Sequence, residues 1–323
     1  MKAAVLTEAG LQIQDVPEPQ PEANQVLVRV KASGLNRADL IMASGRKHGG
    51  RGGAGSIAGL EWAGEVVEVG AEVDGIKAGD RVMCSGGGGY AEYAVSDHGR
   101  TAPIPANNMS FEQAATLPVA LQTMHNAVVT AGRLNEGEAV IIQGASSGVG
   151  LMGMQIAKYM GARLVIGTST NAERQARLAE FGADLVLDSS DPDWADAALE
   201  ATDGRGVDLI VDQISAGVAN QNMKAVRVLG RIVNVGRLGG FNGEFDFDLH
   251  AAKRIDYIGV TFRTRSVDEV REINRLMRAD LWAAVEAGEL HLPIDRTFAL
   301  DEAAEAQAHM GANAHFGKIV LTV

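Results

Sequence analysis

The chain has 323 residues, 46% of them hydrophobic, and a formal net charge of −12, which is enough apolar material for two globular cores. An acidic chain lacks the basic face that a phosphate backbone requires, so we expect no nucleic-acid partner. Cys84 is the single cysteine, which excludes both a disulfide within the chain and a zinc site built from several cysteines.

No segment of the sequence is typical of a membrane or export signal. The chain contains no run of about 18 uninterrupted apolar residues, the length that spans a bilayer. Met1 and Lys2 lead directly into an alternating segment, not into the apolar core of a signal peptide. We therefore expect a cytoplasmic protein without a membrane partner.

The first 120 residues read as short strands separated by loops. Residues 25–31 alternate between apolar and polar side chains as a half-buried strand does, and further strands are predicted at 65–69, 81–84 and 90–95. Residues 45–59 form a glycine-rich stretch that also carries a basic group, Arg46, Lys47 and His48. This stretch is either a surface loop or a lid over a pocket.

From Ser110, which forms a capping box with Gln113, helices and strands alternate. Helices are predicted at 121–131, 148–160, 172–181, 193–202 and 219–229, and strands at 139–143, 163–167, 185–187, 207–211, 231–235 and 257–260. This order predicts an α/β fold with a doubly wound parallel sheet. Ser266 and Glu269 then cap a long helix, and a last strand at 318–321 is expected to fold back on the first domain.

The glycine-rich loop at residues 144–150 lies between a predicted strand and a predicted helix. Glycines let the backbone approach a pyrophosphate closely, and the start of a helix offers free N–H groups and a partial positive charge. The loop therefore predicts a dinucleotide site, with the pyrophosphate contacted by Ser147, Gly148, Val149 and Gly150.

The end of the next strand favours NADPH over NADH. An NAD site usually has Asp or Glu about 20 residues after the first glycine, bonded to the ribose 2′-hydroxyl. This chain has Ser169 and Thr170 there, followed by Arg174. Hydroxyl groups and a guanidinium suit a 2′-phosphate, although Arg174 could instead be a solvated helix residue.

Several local motifs, in this order, resemble the medium-chain dehydrogenase/reductase superfamily. They lie at residues 32–39, 59–64, 79–82, 89–93, 144–150 and 317–321, and the nearest resemblance is to the zinc-independent NADPH:quinone oxidoreductase branch, which includes zeta-crystallin-like proteins. The resemblance implies a β-rich GroES-like catalytic domain at 1–122, a Rossmann nucleotide-binding domain at 123–262, and a C-terminal return to the catalytic domain at 263–323.

Departures from the zinc-dependent members predict a site without metal. Those enzymes carry Cys at the position of Asn36 and His at the position of Leu60, and neither replacement is a good zinc ligand. Without a metal to polarise it, an alcohol is a poor substrate. A quinone is already electrophilic, so we expect hydride transfer from NADPH to a quinone.

The resemblance also implies site residues, with the nicotinamide in the cleft between the two domains. Asn36 is the candidate catalytic residue, bonding the nicotinamide ribose or the substrate oxygen, or else merely forming a turn. Asp39 and Glu61 are expected to be structural, and no general acid is identified. The further residues expected at the cofactor are Ser189, Gln213, Gly236, Arg237, Thr261, Phe262, Phe316, Gly317 and Lys318.

Two alternatives to quinone reduction remain open. One is an NADPH-dependent reductase of alkenals, enones or enoyl thioesters, for which Arg46 and Lys47 could form a basic pocket mouth. The other is a weakly catalytic NADPH-binding protein. In either case we expect a homodimer that pairs the apolar strand at 257–260.

Overall fold

The computed structural model describes residues 1–47 and 49–323. His48, part of the basic group in the glycine-rich stretch, lies outside the described residues. The chain divides into two compact units, the first formed by Met1–Val119 with Phe262–Val323 and the second by Ala120–Thr261. Within the described ranges, no helix is long and apolar enough to cross a membrane.

The described residues form fifteen strands and ten α-helices. The strands are β1 (Lys2–Thr7), β2 (Gly10–Asp15), β3 (Gln25–Gly34), β4 (Glu61–Val69), β5 (Arg81–Ser85), β6 (Tyr93–Asp97), β7 (Thr101–Pro103), β8 (Ala139–Ile142), β9 (Leu164–Thr168), β10 (Leu185–Leu187), β11 (Val207–Asp212), β12 (Val226–Asn234), β13 (Asp256–Gly259), β14 (Ile294–Ala299) and β15 (Lys318–Thr322). The helices are α1 (Arg37–Ala43), α2 (Phe111–Ala114), α3 (Pro118–His125), α4 (Gly148–Tyr159), α5 (Ala172–Gln175), α6 (Trp194–Glu200), α7 (Ala219–Ala225), α8 (Phe247–Lys253), α9 (Val267–Ala287) and α10 (Ala303–Gly311).

The first unit is built on a mixed sheet in the order β14–β15–β3–β4–β5–β7, with β6 also paired to β3. The C-terminal strand β15 lies antiparallel to β3, with Val320 opposite Gly34 and Leu321 opposite Ser33. Residues 318–321 are all buried, which explains why an apolar strand at the end of the chain adds to the sheet formed by its beginning.

The second unit contains a six-stranded sheet in the order β10–β9–β8–β11–β12–β13, in which every pairing is parallel. Strand β8 is buried at all four positions, as expected for a parallel strand covered on both faces. Its order is that of a doubly wound fold, in which the chain reverses direction across the sheet between β8 and β11. The predicted α/β class, a β-rich unit with a doubly wound parallel sheet, is confirmed.

Three helix predictions were wrong in extent. The helix predicted at 172–181 is interrupted: α5 ends at Gln175, and a 3₁₀ helix forms at Leu178–Phe181. The helix predicted at 219–229 ends at Ala225, because Val226 and the following residues join β12, where β-branched residues pack well. The helix predicted at 121–131 begins at Pro118 and becomes π-helical at Asn126–Ala131.

Candidate functional site

The loop between β8 and α4 presents backbone N–H groups without acceptors. In the part of the chain that the structure describes, the N–H groups of Ser146, Gly148 and Val149 make no hydrogen bond. Ser147 is the N-cap of α4, and its hydroxyl accepts from the N–H of Gly150 at 3.1 Å. Free N–H groups at the start of a helix favour a bound anion.

Two glycines are required by the shape of this loop. Gly144 has a φ of +67°, in the left-handed region that residues with a Cβ rarely adopt. A Cβ on Gly150 would lie 2.5 Å from the carbonyl oxygen of Gly144 and 2.7 Å from the Cα of Ala145. Both contacts are with backbone, so a side chain at position 150 would displace the loop itself.

A buried chain of polar side chains supports the loop. The Thr168 hydroxyl donates to Gln143 Oε1 at 2.6 Å and accepts from the N–H of Gly144 at 3.1 Å. Gln143 donates to Asn222 Oδ1 at 2.8 Å, and Asn222 donates to Asp212 Oδ2 at 3.1 Å. Satisfied buried networks of this kind fix the backbone around them.

Sequence reasoning did not identify this polar network. The sequence does contain a pattern that could have indicated the network, since Gln143 directly follows the apolar strand β8 and Asp212 ends the apolar strand β11. A polar residue at the carboxyl end of a buried parallel strand lies at the edge where such sheets bind ligands. Burial raises the pKa of Asp212, although hydrogen bonds from the N–H groups of Ser215 and Ile214 oppose this change.

Ser169, Thr170 and Arg174, the residues predicted to contact the 2′-phosphate of the cofactor, follow the end of β9. Ser169 is 5% exposed, and its hydroxyl donates to the Ser146 hydroxyl at 3.1 Å. Thr170 is exposed. Asn171 caps α5 by accepting from the N–H of Arg174 at 3.0 Å. This arrangement brings the end of β9 against the glycine loop.

The other predicted cofactor residues divide between the two units. In the second unit, Ser189, Gln213, Gly236, Arg237 and Thr261 all follow carboxyl ends of parallel strands, so they share one sheet edge with the glycine loop. The Ser147 hydroxyl lies 3.1 Å from Gln213 Oε1, joining the loops after β8 and β11 at the point where strand order reverses. Phe262, Phe316, Gly317 and Lys318 belong to the first unit.

The first unit contains a buried ionic group, the Lys318 cluster, formed by Lys318, Glu61 and Asn36. The Lys318 ammonium is 5% exposed and donates to Glu61 Oε1, to Asn36 Oδ1 at 3.1 Å and to the Leu35 carbonyl oxygen at 2.7 Å. All three of its N–H groups are therefore used within the unit. The Lys318 ammonium therefore has no N–H group left for a cofactor.

Asn36 and Glu61 are equally well occupied. Asn36 Nδ2 donates to Glu61 Oε1 at 2.9 Å and to the carbonyl oxygen of Gly34 at 3.4 Å. Glu61 is fully buried, and its Oε2 accepts from the N–H of Val119 at 2.8 Å. The Asn36 amide has no spare donor, so its predicted contact with a ribose or substrate would use the second lone pair of its oxygen.

Asp39 lies beside this cluster and is also fully buried. Its Oδ2 accepts from the N–H of Asn36 and from the Tyr90 hydroxyl, both at 2.8 Å, while its Oδ1 has no partner among the described residues. Burial raises the pKa of Asp39 to about 7, against the lowering effect of these hydrogen bonds and of Lys318. Asp39 thus orders the turn before α1, which is a structural role of the kind expected from the sequence.

Asp39→Asn should change how stability depends on pH. The folded-state pKa of Asp39, about 7, lies above the unfolded value of about 3.9. The protonated carboxyl of Asp39 therefore contributes its full stabilisation below the unfolded pKa, and this contribution is lost as the pH rises through 7. Relative to Asp39→Asn, we expect the native chain to lose up to about 4 kcal/mol of unfolding free energy between about pH 4 and pH 8. Urea denaturation across this range measures the difference, and parallel profiles would contradict it.

Two family models match the chain. The model for the alcohol dehydrogenase GroES-like domain matches residues 22–106, and the model for zinc-binding dehydrogenase matches residues 148–279. Among solved structures, a mycobacterial protein complexed with NADPH is 27% identical, with a TM-score of 0.89 and complete coverage of both chains.

Relatives from two kinds of protein are similar to this chain. The quinone oxidoreductase of Rattus norvegicus is 30% identical over 310 residues, which are 95% of this chain and 92% of that protein. A phenolphthiocerol/phthiocerol polyketide synthase of Mycobacterium tuberculosis is 31% identical over 314 residues, which are 97% of this chain. The chain spans only 14% of the length of that synthase.

Proposed function

Because the chain belongs to the quinone oxidoreductase branch of the medium-chain dehydrogenase/reductase superfamily, we propose that it transfers a hydride from NADPH to a quinone without a metal. Membership makes the chain an oxidoreductase; the quinone and the choice of NADPH are the proposal. The observation that carries it is the buried pair of the Lys318 ammonium and Glu61 beside Asn36 in the first unit, together with the glycine loop in the second.

The glycine loop fits the pyrophosphate of a nicotinamide dinucleotide. The unpaired N–H groups of Ser146, Gly148 and Val149 supply donors, and the absence of a Cβ at Gly150 keeps the loop closed against the helix. Such a site needs no positively charged side chain, because the helix terminus carries partial positive charge. The similar mycobacterial structure that was solved with NADPH supports this assignment.

Zinc does not fit the donors found in the first unit. Asn36 and Leu60 stand where the resemblance places the Cys and His of zinc-dependent relatives, and neither holds zinc well. Lys318 already donates to Glu61 and Asn36, so a divalent cation beside them would meet a buried positive charge. No three His, Cys, Asp or Glu side chains of residues 1–47 and 49–323 are grouped for a metal.

Hydride transfer to a quinone requires little chemical participation from the protein side chains. The bound nicotinamide supplies the hydride, and reduction of a quinone to a hydroquinone takes up that hydride and one proton. A quinone accepts hydride readily when it is correctly placed, so positioning contributes most of the rate. The Lys318 cluster suits this role, because its donors are all satisfied and its geometry is fixed. We assign the proton to water.

A second candidate function is the reduction of an enoyl thioester. It is favoured by the similarity to polyketide synthases over almost the whole chain. The electronic requirement is the same, since the double bond of such a thioester is conjugated to a carbonyl group and accepts hydride at its β-carbon. A proton then adds at the α-carbon, which again requires no metal.

Arg174→Ala should remove the preference for NADPH. A charge-assisted hydrogen bond to the 2′-phosphate contributes about 1.5–3 kcal/mol, so we expect kcat/KM for NADPH to fall by about 10- to 100-fold with 1,4-benzoquinone as acceptor. The value for NADH should change by less than about threefold. Arg177→Ala is the matched control, because Arg177 lies close in sequence and pairs with Glu180 at the surface. Equal losses with both cofactors would contradict the assignment.

We also propose the homodimer expected from the sequence. Strand β13 is an edge strand of its sheet, and an aromatic group packs beside it, with Phe245 in contact with both Phe247 and Tyr257. Phe247 is 77% exposed. Exposed aromatic side chains next to an unpaired strand edge are typical of a surface that pairs with a second copy.

A further inference from the structure

Arg51 and Arg100 of the first unit lie close together, and neither forms an ion pair with an acidic side chain among the described residues. The Arg51 side chain lies against the turn after β5, where a Cβ on Gly87 would be 3.2 Å from Arg51 Nε. Arg100 is close enough to Arg51 for their positive charges to repel each other. Among the described residues, neither guanidinium makes a hydrogen bond or ion pair, and Arg100 Nε is buried without an acceptor.

The nearest acid does not neutralise this pair. Asp97 accepts from Arg271 Nη2 at 2.7 Å, from Arg271 Nε at 3.0 Å and from the N–H of Gly99 at 2.9 Å. Its carboxylate is therefore committed to α9 and to its own turn. Arg51 and Arg100 remain two positive charges in one half-buried place.

Arg100 lies at the same end of the sheet as the Lys318 cluster. Glu61 of that cluster pairs with Ser85 across β4 and β5, and Cys84 pairs with Thr101 across β5 and β7. Arg100 directly precedes Thr101 at the start of β7, as the last residue of a 3₁₀ helix, so it lies near the end of β5. Because neighbouring strands are about 4.8 Å apart, β7, which begins directly after Arg100, lies about 10 Å from β4, which begins at Glu61.

Two neighbouring, half-buried cations destabilise the folded protein unless an anion binds between them. Burial lowers the pKa of Arg51, and burial together with the charge of Arg51 lowers the pKa of Arg100 to about 10. Guanidinium groups remain protonated in this range, so both charges persist at neutral pH. Two guanidinium forks match a phosphate group in geometry, because each fork can donate two N–H groups to the phosphate oxygens.

We propose that Arg51 and Arg100 bind the phosphate of an acceptor molecule whose reactive end lies by the Lys318 cluster. The inference rests on the proposed function, in its second form, for the position of the reactive end. The substrate class is an enoyl thioester of phosphopantetheine, presented either as coenzyme A or on a carrier protein. A quinone has no phosphate and would leave this pair unused.

Matched thioesters that differ in one phosphate test the proposal. Crotonyl-phosphopantetheine, crotonyl-pantetheine and crotonyl-coenzyme A would be compared as acceptors with NADPH. Isothermal titration with phosphopantetheine and pantetheine would measure binding without turnover. We expect the phosphate to raise kcat/KM and affinity by about 10- to 100-fold, the equivalent of about 1.4–2.8 kcal/mol. Arg51→Gln and Arg100→Gln should each reduce this ratio towards one.

Arg275→Gln is the control variant, because Arg275 is 63% exposed and pairs with Glu272 on α9; it should retain the native ratio. If kcat/KM were raised for crotonyl-coenzyme A but not for crotonyl-phosphopantetheine, both relative to crotonyl-pantetheine, the nucleotide end of coenzyme A would be the part recognised. That result would overturn the proposal. Equal titration of phosphopantetheine and pantetheine would overturn it too. Turnover of crotonyl-pantetheine, which lacks the phosphate, reports separately on enoyl-thioester reduction, and the titration reports on phosphate binding, so the two can fail independently.

Discussion

Gly150→Ala should abolish practical binding of NADPH, lowering its affinity by about 100-fold or more. The added Cβ would lie 2.5 Å from the Gly144 carbonyl oxygen and 2.7 Å from the Ala145 Cα, distances that no side-chain rotation can relieve. The loop must then move away from α4, and the N–H groups of Gly148 and Val149 lose their common direction. Loss of two or more charge-assisted hydrogen bonds accounts for a change of this size.

Nicotinamide fluorescence on titration of the protein with NADPH measures this effect. Gly217→Ala is the control, because a Cβ at that position would meet nothing within 4 Å and its φ is not positive. We expect the control to bind NADPH as the native chain does. Native affinity in Gly150→Ala would show that the pyrophosphate lies elsewhere.

Lys318→Met should destabilise the protein by about 3–5 kcal/mol, because it leaves the buried Glu61 carboxylate without its cation. Glu61 is fully buried. The Leu35 carbonyl oxygen and Asn36 Oδ1 also lose a donor. Adding Glu61→Gln removes the uncompensated charge, so the double variant should regain part of the loss.

Urea denaturation followed by tryptophan fluorescence measures this free energy, and Lys158→Met provides the comparison. Lys158 pairs with Asp184 at 2.6 Å, but these side chains are 37% and 35% exposed, and such surface pairs contribute about 0–1 kcal/mol. If Lys318→Met costs no more than Lys158→Met, the Lys318 cluster does not behave as a buried ionic group.

Local signals in the sequence located much of the fold. The capping box at Ser266 begins α9 where predicted, and the capping box at Ser110 begins the short helix α2, which was not predicted as a separate helix. A cap is readable in this way because it depends only on residues three apart. The glycine loop was equally local, as strand, loop and helix follow one another without interruption. The extents of α5 and α7 were not predictable in this way, since sheet pairing of residues after Ala225 overrides helical periodicity.

The Lys318 cluster shows what sequence patterns could not reveal. The resemblance assigned Lys318 to the cofactor, yet its ammonium is bonded to Glu61, which is 257 positions away in the chain. That contact depends on the pairing of β15 with β3, and the hydrophobic periodicity of the sequence does not predict which strands pair. The pair formed by Arg51 and Arg100 was missed for the same reason, because only the pairing of β5 with β7 brings the residue before Thr101 near the turn that holds Arg51.

Turnover with competing acceptors tests the central claim most directly. Purified protein and NADPH would be given equal concentrations of 1,4-benzoquinone, 9,10-phenanthrenequinone or trans-2-hexenal, and loss of the reduced nicotinamide absorbance would be followed, with NADH in parallel. We expect the highest kcat/KM with a quinone and with NADPH. Turnover of the enal but neither quinone would contradict quinone reduction, and no turnover despite tight NADPH binding would contradict an enzymatic role with these acceptors.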